Sequence, residues 1–144
     1  MGFFQAANQW LKKLRVDELL DLSQNYASGP QILLRVQTKT ASYTVTYADS
    51  GTFFTTHGDT NAIVYTLPAL PKKGVFFLFF QSVDQNMSVA SASANQIKAF
   101  NDLDADAVTF VTGSNLIAAC TLIFGDGNFW NAVTLGAHTL TVTT

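Results

Sequence analysis

Two hydrophobic periods divide the chain. Over residues 3–22, Phe3, Ala7, Trp10, Leu11 and Leu14, then Leu19 and Leu22, recur every three or four positions, the spacing of one face of an α-helix. A break is expected near Val16 and Asp17, where the apolar face shifts and Asp17 can cap a second short helix. Ser28, Gly29 and Pro30 end the segment, since proline lacks the amide donor and glycine tolerates the turn. From residue 31 onward the period is two, carried by Val, Ile, Thr, Tyr and Phe.

Ser42 to Tyr47 alternates strictly, which predicts a strand with Tyr43, Val45 and Tyr47 on one face and hydroxyls on the other, followed by a turn at Asp49-Ser50-Gly51. Further strands are predicted over 31–38, 52–55, 62–67, 74–81, 86–90, 95–99, 107–111, 116–124, 128–134 and 138–143. Turn residues punctuate them at His57-Gly58-Asp59, from Pro68 to Gly74, at Thr112-Gly113-Ser114, at Gly125-Asp126-Gly127-Asn128 and at Gly136. Short strands at this spacing point to a mainly β protein: a small antiparallel β-sandwich or barrel-like domain over residues 31–144, preceded by an N-terminal helical segment over residues 1–30. Helical crossovers are missing, which excludes a parallel α/β sheet.

The run from Val75 to Phe80 has no polar face, so a strand there must be covered on both sides. In so small a domain the second cover is expected from a neighbouring subunit. This makes Val75, Phe77 and Phe79 the expected subunit interface.

Composition agrees with assembly. Of 144 residues 48% are apolar and only 12% charged, about half the usual share, so disorder is excluded and little charge is left to keep a surface solvated. The length admits one domain. Eight basic against ten acidic residues give a net charge of −2, which offers no field for nucleic acid. The balance is uneven: Lys12, Lys13, Arg15, Arg35 and Lys39 outnumber the acids before Thr40, whereas Lys72, Lys73 and Lys98 face seven aspartates after it.

The basic cluster borders the apolar face of the first segment. Phe3, Phe4, Trp10, Leu11 and Leu14, flanked by Lys12, Lys13 and Arg15, can pack on the chain's own β domain, dock on a partner or sister subunit, or lie on a membrane surface. Asp17, Glu18 and Asp21 weigh against the membrane, since anionic lipid repels them. No signal peptide is visible, and the apolar windows at 74–80 and 116–124 are too short to span a bilayer, so a soluble protein made in a cytoplasm is expected.

Candidate chemistry is sparse. Asp102, Asp104 and Asp106 alternate like the first ligands of a calcium loop, but the glycine and glutamate that such a loop needs further on are missing, so a solvated acidic loop is expected. Cys120 is the one cysteine, which excludes an intramolecular disulfide. With His57 or His138 it could nominally form a nucleophile pair, yet it sits in an apolar run where a buried, inert thiol is the default. Nucleophile-elbow, Walker and zinc-protease motifs are missing, and Gly125 to Asn128 lies between strands, so a hairpin turn is expected there. Neither a catalytic centre nor a cofactor or metal is expected.

Residues Tyr43 to Thr56, with Ala48-Asp49-Ser50-Gly51 at the centre, and Asn61 to Pro68, with Ala62-Ile63-Val64-Tyr65-Thr66-Leu67, resemble the opening of small β domains in bacteriophage virion proteins: capsid decoration proteins, head fibres and tail fibres. The strand after Gly74, the segment Asn86 to Ala90, and the later Ala107 to Val111 and Asn128 to Ala132 fit the same pattern. The resemblance spans about residues 43–133, rests on pattern and turn placement, and carries no catalytic signature; the N-terminal helical segment lies outside it. It implies a trimeric, non-enzymatic virion protein bound to the major capsid protein on the outer capsid surface. The alternative it leaves is a tail-fibre or spike module that binds a receptor or host-surface glycan.

Overall fold

The computed structural model describes residues 34–100, 102–110, 117–136 and 140–144. The helical segment read over residues 3–22, the contact residues Phe3, Phe4, Trp10, Leu11, Lys12, Lys13, Leu14 and Arg15, and His138 lie outside the described residues.

The described chain is mainly β. Its strands are β1 (Arg35–Thr38), β2 (Tyr43–Thr44), β3 (Thr52–Thr55), β4 (Ile63–Thr66), β5 (Phe76–Phe80), β6 (Met87–Ala90), β7 (Ile97–Ala99), β8 (Asp102–Ala105), β9 (Ala107–Phe110), β10 (Cys120–Gly125), β11 (Trp130–Thr134) and β12 (Thr141–Thr143). They form a seven-stranded sheet in the order β1-β3-β5-β10-β11-β7-β8 and a five-stranded sheet in the order β12-β9-β6-β4-β2.

Both sheets are mixed, which corrects the purely antiparallel expectation. From β1 to β6 the chain alternates between the sheets, so β1, β3 and β5 pair in parallel in one and β2, β4 and β6 pair in parallel in the other. Parallel neighbours need a long crossover. Here a strand of the facing sheet supplies it, which is why parallel pairing occurs without helices. After β6 the antiparallel pairs β6·β9, β5·β10 and β10·β11 close the sandwich.

Alternation decides which side chains meet between the sheets. On the larger sheet, Phe54, Phe77, Phe79, Ile123 and Trp130 are buried; on the smaller, Ile63, Tyr65, Met87, Val89, Val108 and Phe110 are. The two sets join around Tyr65, whose ring centroid lies 5.2 Å from that of Phe54 and 5.1 Å from that of Phe79. Trp130 extends the cluster, 5.8 Å from Phe77, and its indole N–H donates to the Pro68 carbonyl at 3.1 Å. Burial and the nearby Asp59 carboxylate push the Tyr65 hydroxyl well above its ordinary value.

The loop from Pro68 to Gly74 presses on the end of β10. A Cβ on Gly125 would sit 2.7 Å from the Pro71 carbonyl carbon, so only glycine fits there. The Gly74 amide donates to the Gly125 carbonyl, and the Gly127 amide to that of Pro71.

Two local expectations are corrected. The strand read over Ser42 to Tyr47 stops at Thr44, and Tyr47–Asp49 forms a 3-10 turn. Asp49 draws it tight: its Oδ2 accepts from the Thr46 amide (2.9 Å), the Thr46 hydroxyl (2.8 Å) and the Tyr43 hydroxyl (3.1 Å). Burial works against charge on this carboxylate, but those bonds and Arg35 hold it below the ordinary carboxylate range. The acidic stretch at 102–106, read as a solvated loop, contains edge strand β8, paired with β7. Its charges suit an edge, where they oppose further strand addition.

Candidate functional site

The run Val75 to Phe80 is split by the pleat. Phe77 and Phe79, expected at a subunit interface, point inward and are fully buried in the chain's own core, and half-buried Val75 packs against that core. The outward side chains of the same strand are Phe76, Leu78 and Phe80, each half-buried.

These outward residues belong to a continuous apolar surface. One row crosses five strands as Val36, Phe53, Leu78, Leu122 and Val133. A second runs Thr38, Thr55, Phe80 and Cys120, and a third sets Phe76 beside Phe124 and Asn131. The Phe53 and Phe80 rings lie 5.7 Å apart. Among the described residues no charged side chain stands on this face between β1 and β11, while Val36 remains 63% and Val133 45% exposed. Patches this extended mark interaction surfaces in soluble proteins.

Cys120 is part of this outer face, half-buried opposite Phe80, rather than fully buried in an apolar interior. Burial pushes its thiol up, away from thiolate. His57 is exposed in its turn.

A second candidate surface lies at the β8 edge. An open cleft of about 720 Å3 is lined by Asn95, Asp102, Leu103, Asp104 and Phe129. Strand alternation and the β10–β11 turn bring these together from three segments. Leu103 is 69% exposed, and the Lys98 ammonium sits 4.0 Å from the centroid of the Phe129 ring. The three alternating aspartates do not share a centre: Asp102 Oδ1 accepts from the Asp104 amide at 3.0 Å, and Asp106 Oδ1 from the Asn95 amide at 2.6 Å. Among the described residues no group of three or more His, Cys, Asp or Glu is placed to hold a metal ion.

Asp126 orders the turn behind the cleft. Its carboxylate accepts from the Asn131 side-chain amide (2.9 Å) and from the Phe129 and Asn128 amides (2.8 Å each). The Asn131 bond first, then the two backbone bonds and the nearby Lys98, bring its pKa down to about 2.

The sequence pointed to Asp102 and Asp104 for a different chemistry and missed Asn95 and Phe129 as their neighbours. Polar–apolar alternation from Asp102 to Ala105 is the signal that could have exposed the strand.

No protein-family model and no curated protein matches the chain. Among the described residues no helix is long and apolar enough to cross a membrane.

Proposed function

We propose that the protein is a non-enzymatic structural component of a bacteriophage virion, made in the host cytoplasm and attached to the outer capsid surface as a trimeric decoration or head-fibre protein. The observation that carries this reading is the outer face of β1, β3, β5, β10 and β11, which is mostly apolar although it lies outside the core. A domain of this kind serves as a building unit, because part of its surface is stable only when covered. The resemblance of residues 43–133 to phage virion β domains supports the same role.

In this reading the sandwich is the rigid body that assembles. The segment with Phe3, Phe4, Trp10, Leu11 and Leu14, bordered by Lys12, Lys13 and Arg15, carries attachment to the major capsid protein. Apolar side chains supply roughly 1.5–3 kcal/mol each on full burial, the basic residues favour an acidic partner, and several linked copies multiply the effect.

The experiment counts copies of the protein per purified virion and measures binding of the full chain to undecorated capsids. Hundreds of copies and saturable binding support decoration; a protein missing from the particle overturns the virion role.

The cleft favours a second reading, a glycan-binding module of a tail fibre or spike. Carboxylates and an amide beside an aromatic ring can hydrogen-bond sugar hydroxyls and pack on a sugar face. A few to a few dozen copies per virion, with glycan binding lost in Asp104→Ala, select it over decoration.

A further inference from the structure

We propose that Asp126-Gly127 is the site at which this chain undergoes spontaneous backbone isomerisation to isoaspartate, and that the hydrogen bonds of the β10–β11 turn hold the reaction back. Whatever the domain assembles into, Asp126 is the one Asp or Asn of the sequence followed by glycine. Glycine leaves the attacking nitrogen unhindered, and a Cβ on Gly127 would meet nothing within 4 Å. Both residues are exposed, so water reaches them freely and burial gives no protection.

The reaction is a dehydration followed by a hydration. The Gly127 nitrogen attacks Cγ of the protonated Asp126 carboxyl; a C–N bond forms, a C–O bond breaks, and the hydroxyl leaves as water with the amide hydrogen. Water then opens the succinimide ring. Opening at the former α-carbonyl routes the main chain through Cβ and Cγ, which lengthens the turn by one carbon at unchanged mass.

The folded turn opposes each requirement. Asp126 Oδ1 accepts from the Asn128 and Phe129 amides and Oδ2 from the Asn131 side chain, so the carboxyl is fixed on groups beyond Gly127 and is not free to turn its carbon toward the Gly127 nitrogen. The nucleophile is held as well. The Gly127 amide donates to the Pro71 carbonyl at 2.9 Å and the Asp126 amide to the Phe129 carbonyl at 3.1 Å, which fixes the peptide plane between the two residues. Charge adds to geometry, since ring closure needs the neutral acid. The Asn131 bond first, then the backbone bonds and Lys98, bring the carboxyl to about 2 against about 3.9 in an unfolded chain, so roughly eightyfold less of it is neutral at any pH above both. Isomerisation would take the carboxylate from its three donors and lengthen a turn whose ends are set by the pairs Gly125–Trp130 and Phe124–Asn131.

The test holds the full chain at body temperature and mildly acidic pH for several weeks, folded and in urea. Peptide mapping with electron-transfer fragmentation then reads isoaspartate at residue 126. The folded wild type should react at least about tenfold more slowly than the unfolded chain, which the neutral-acid fraction alone would give. Asn131→Ala, which removes one donor, should react several-fold faster than the wild type while keeping its far-UV spectrum. Asp126→Asn separates geometry from charge: ring closure now releases ammonia, hydrolysis reads as a gain in mass, and the folded variant should still deamidate several-fold more slowly than in urea. That comparison decides the case even if Asn131→Ala fails to fold. The proposal is overturned by a folded wild type that isomerises as fast as the unfolded chain, by folded Asp126→Asn that deamidates as fast as in urea, by a folded Asn131→Ala no faster than the wild type, or by isoaspartate that forms in urea mainly at another aspartate.

Discussion

The outer faces of the two sheets are built from the same alternation and reach opposite results. On the five-stranded sheet the outward positions are mostly Thr, Ser and Ala, and cross-strand hydroxyls satisfy one another. On the seven-stranded sheet they are mostly Phe, Leu and Val, although the strands are of similar length and equally deep in the fold. Backbone pairing is therefore indifferent to what lies outside; side-chain chemistry alone makes one side polar and the other apolar. The inner faces show no such contrast, since both feed the single cluster around Tyr65, Phe54 and Phe79.

The largest test of this comparison separates inside from outside on one strand. Phe79→Ala removes a ring from the core and should cost about 3–5 kcal/mol in denaturant unfolding. Its outward, half-buried neighbour Leu78→Ala should cost no more than about 1 kcal/mol, the scale of a cross-strand pair. Equal losses at the two positions would break the assignment of faces.

Smaller and opposite in sign is Thr121→Val. Thr121 is fully buried on the inner face beside Phe79, and its Oγ1 finds no hydrogen-bond partner among the described residues. Replacing the hydroxyl by a methyl of similar shape removes an unsatisfied buried group, so stability should rise by about 1 kcal/mol in the same unfolding measurement. The outward Thr141→Lys, exposed on edge strand β12, should change stability by less than about 0.5 kcal/mol, as expected of a solvated position.

The weakest effect is acid opening of the β10–β11 turn, which joins two strands of the apolar face. Asp126 is depressed to about 2 in the folded protein against an unfolded value near 3.9. Its contribution is present in full above the unfolded value and is lost as pH falls through about 2. A carboxyl carbon titration by NMR should give that midpoint, and Asn131→Ala should raise it. A midpoint near 4 in the unaltered protein would remove the turn from the account.

Much of the strand content was legible. The period of two and the turn residues at Gly58, Gly74 and Gly127 are local features, and local sterics and hydrophobicity act on them wherever the chain goes. Other features were hidden for nameable reasons. The Ser42 to Tyr47 alternation reads as one strand, but Asp49 competes for the Thr46 amide and hydroxyl and turns the chain after Thr44. Strand β8 was masked by its aspartates, which suit an edge as well as a loop. The cleft was invisible because Asn95, Asp104 and Phe129 become neighbours only when β7 pairs with both β8 and β11.

Sequence alone determined that the described chain is mainly β and that the strand from Phe76 to Phe80 carries no polar side chain on either face. Those conclusions follow from composition and from a periodicity that any extended backbone imposes. Only the tertiary structure decided that Phe77 and Phe79 belong to the core while Phe76, Leu78 and Phe80 face outward, and that β1 to β6 pair in parallel across two alternating sheets. Shifting the register by one residue exchanges the faces of a uniformly apolar strand with no change in its own hydrophobicity. The choice therefore rested with the neighbours, Phe54 in β3 and Thr121 in β10 beside it and Tyr65 across the sandwich, whose packing is decided by the whole fold.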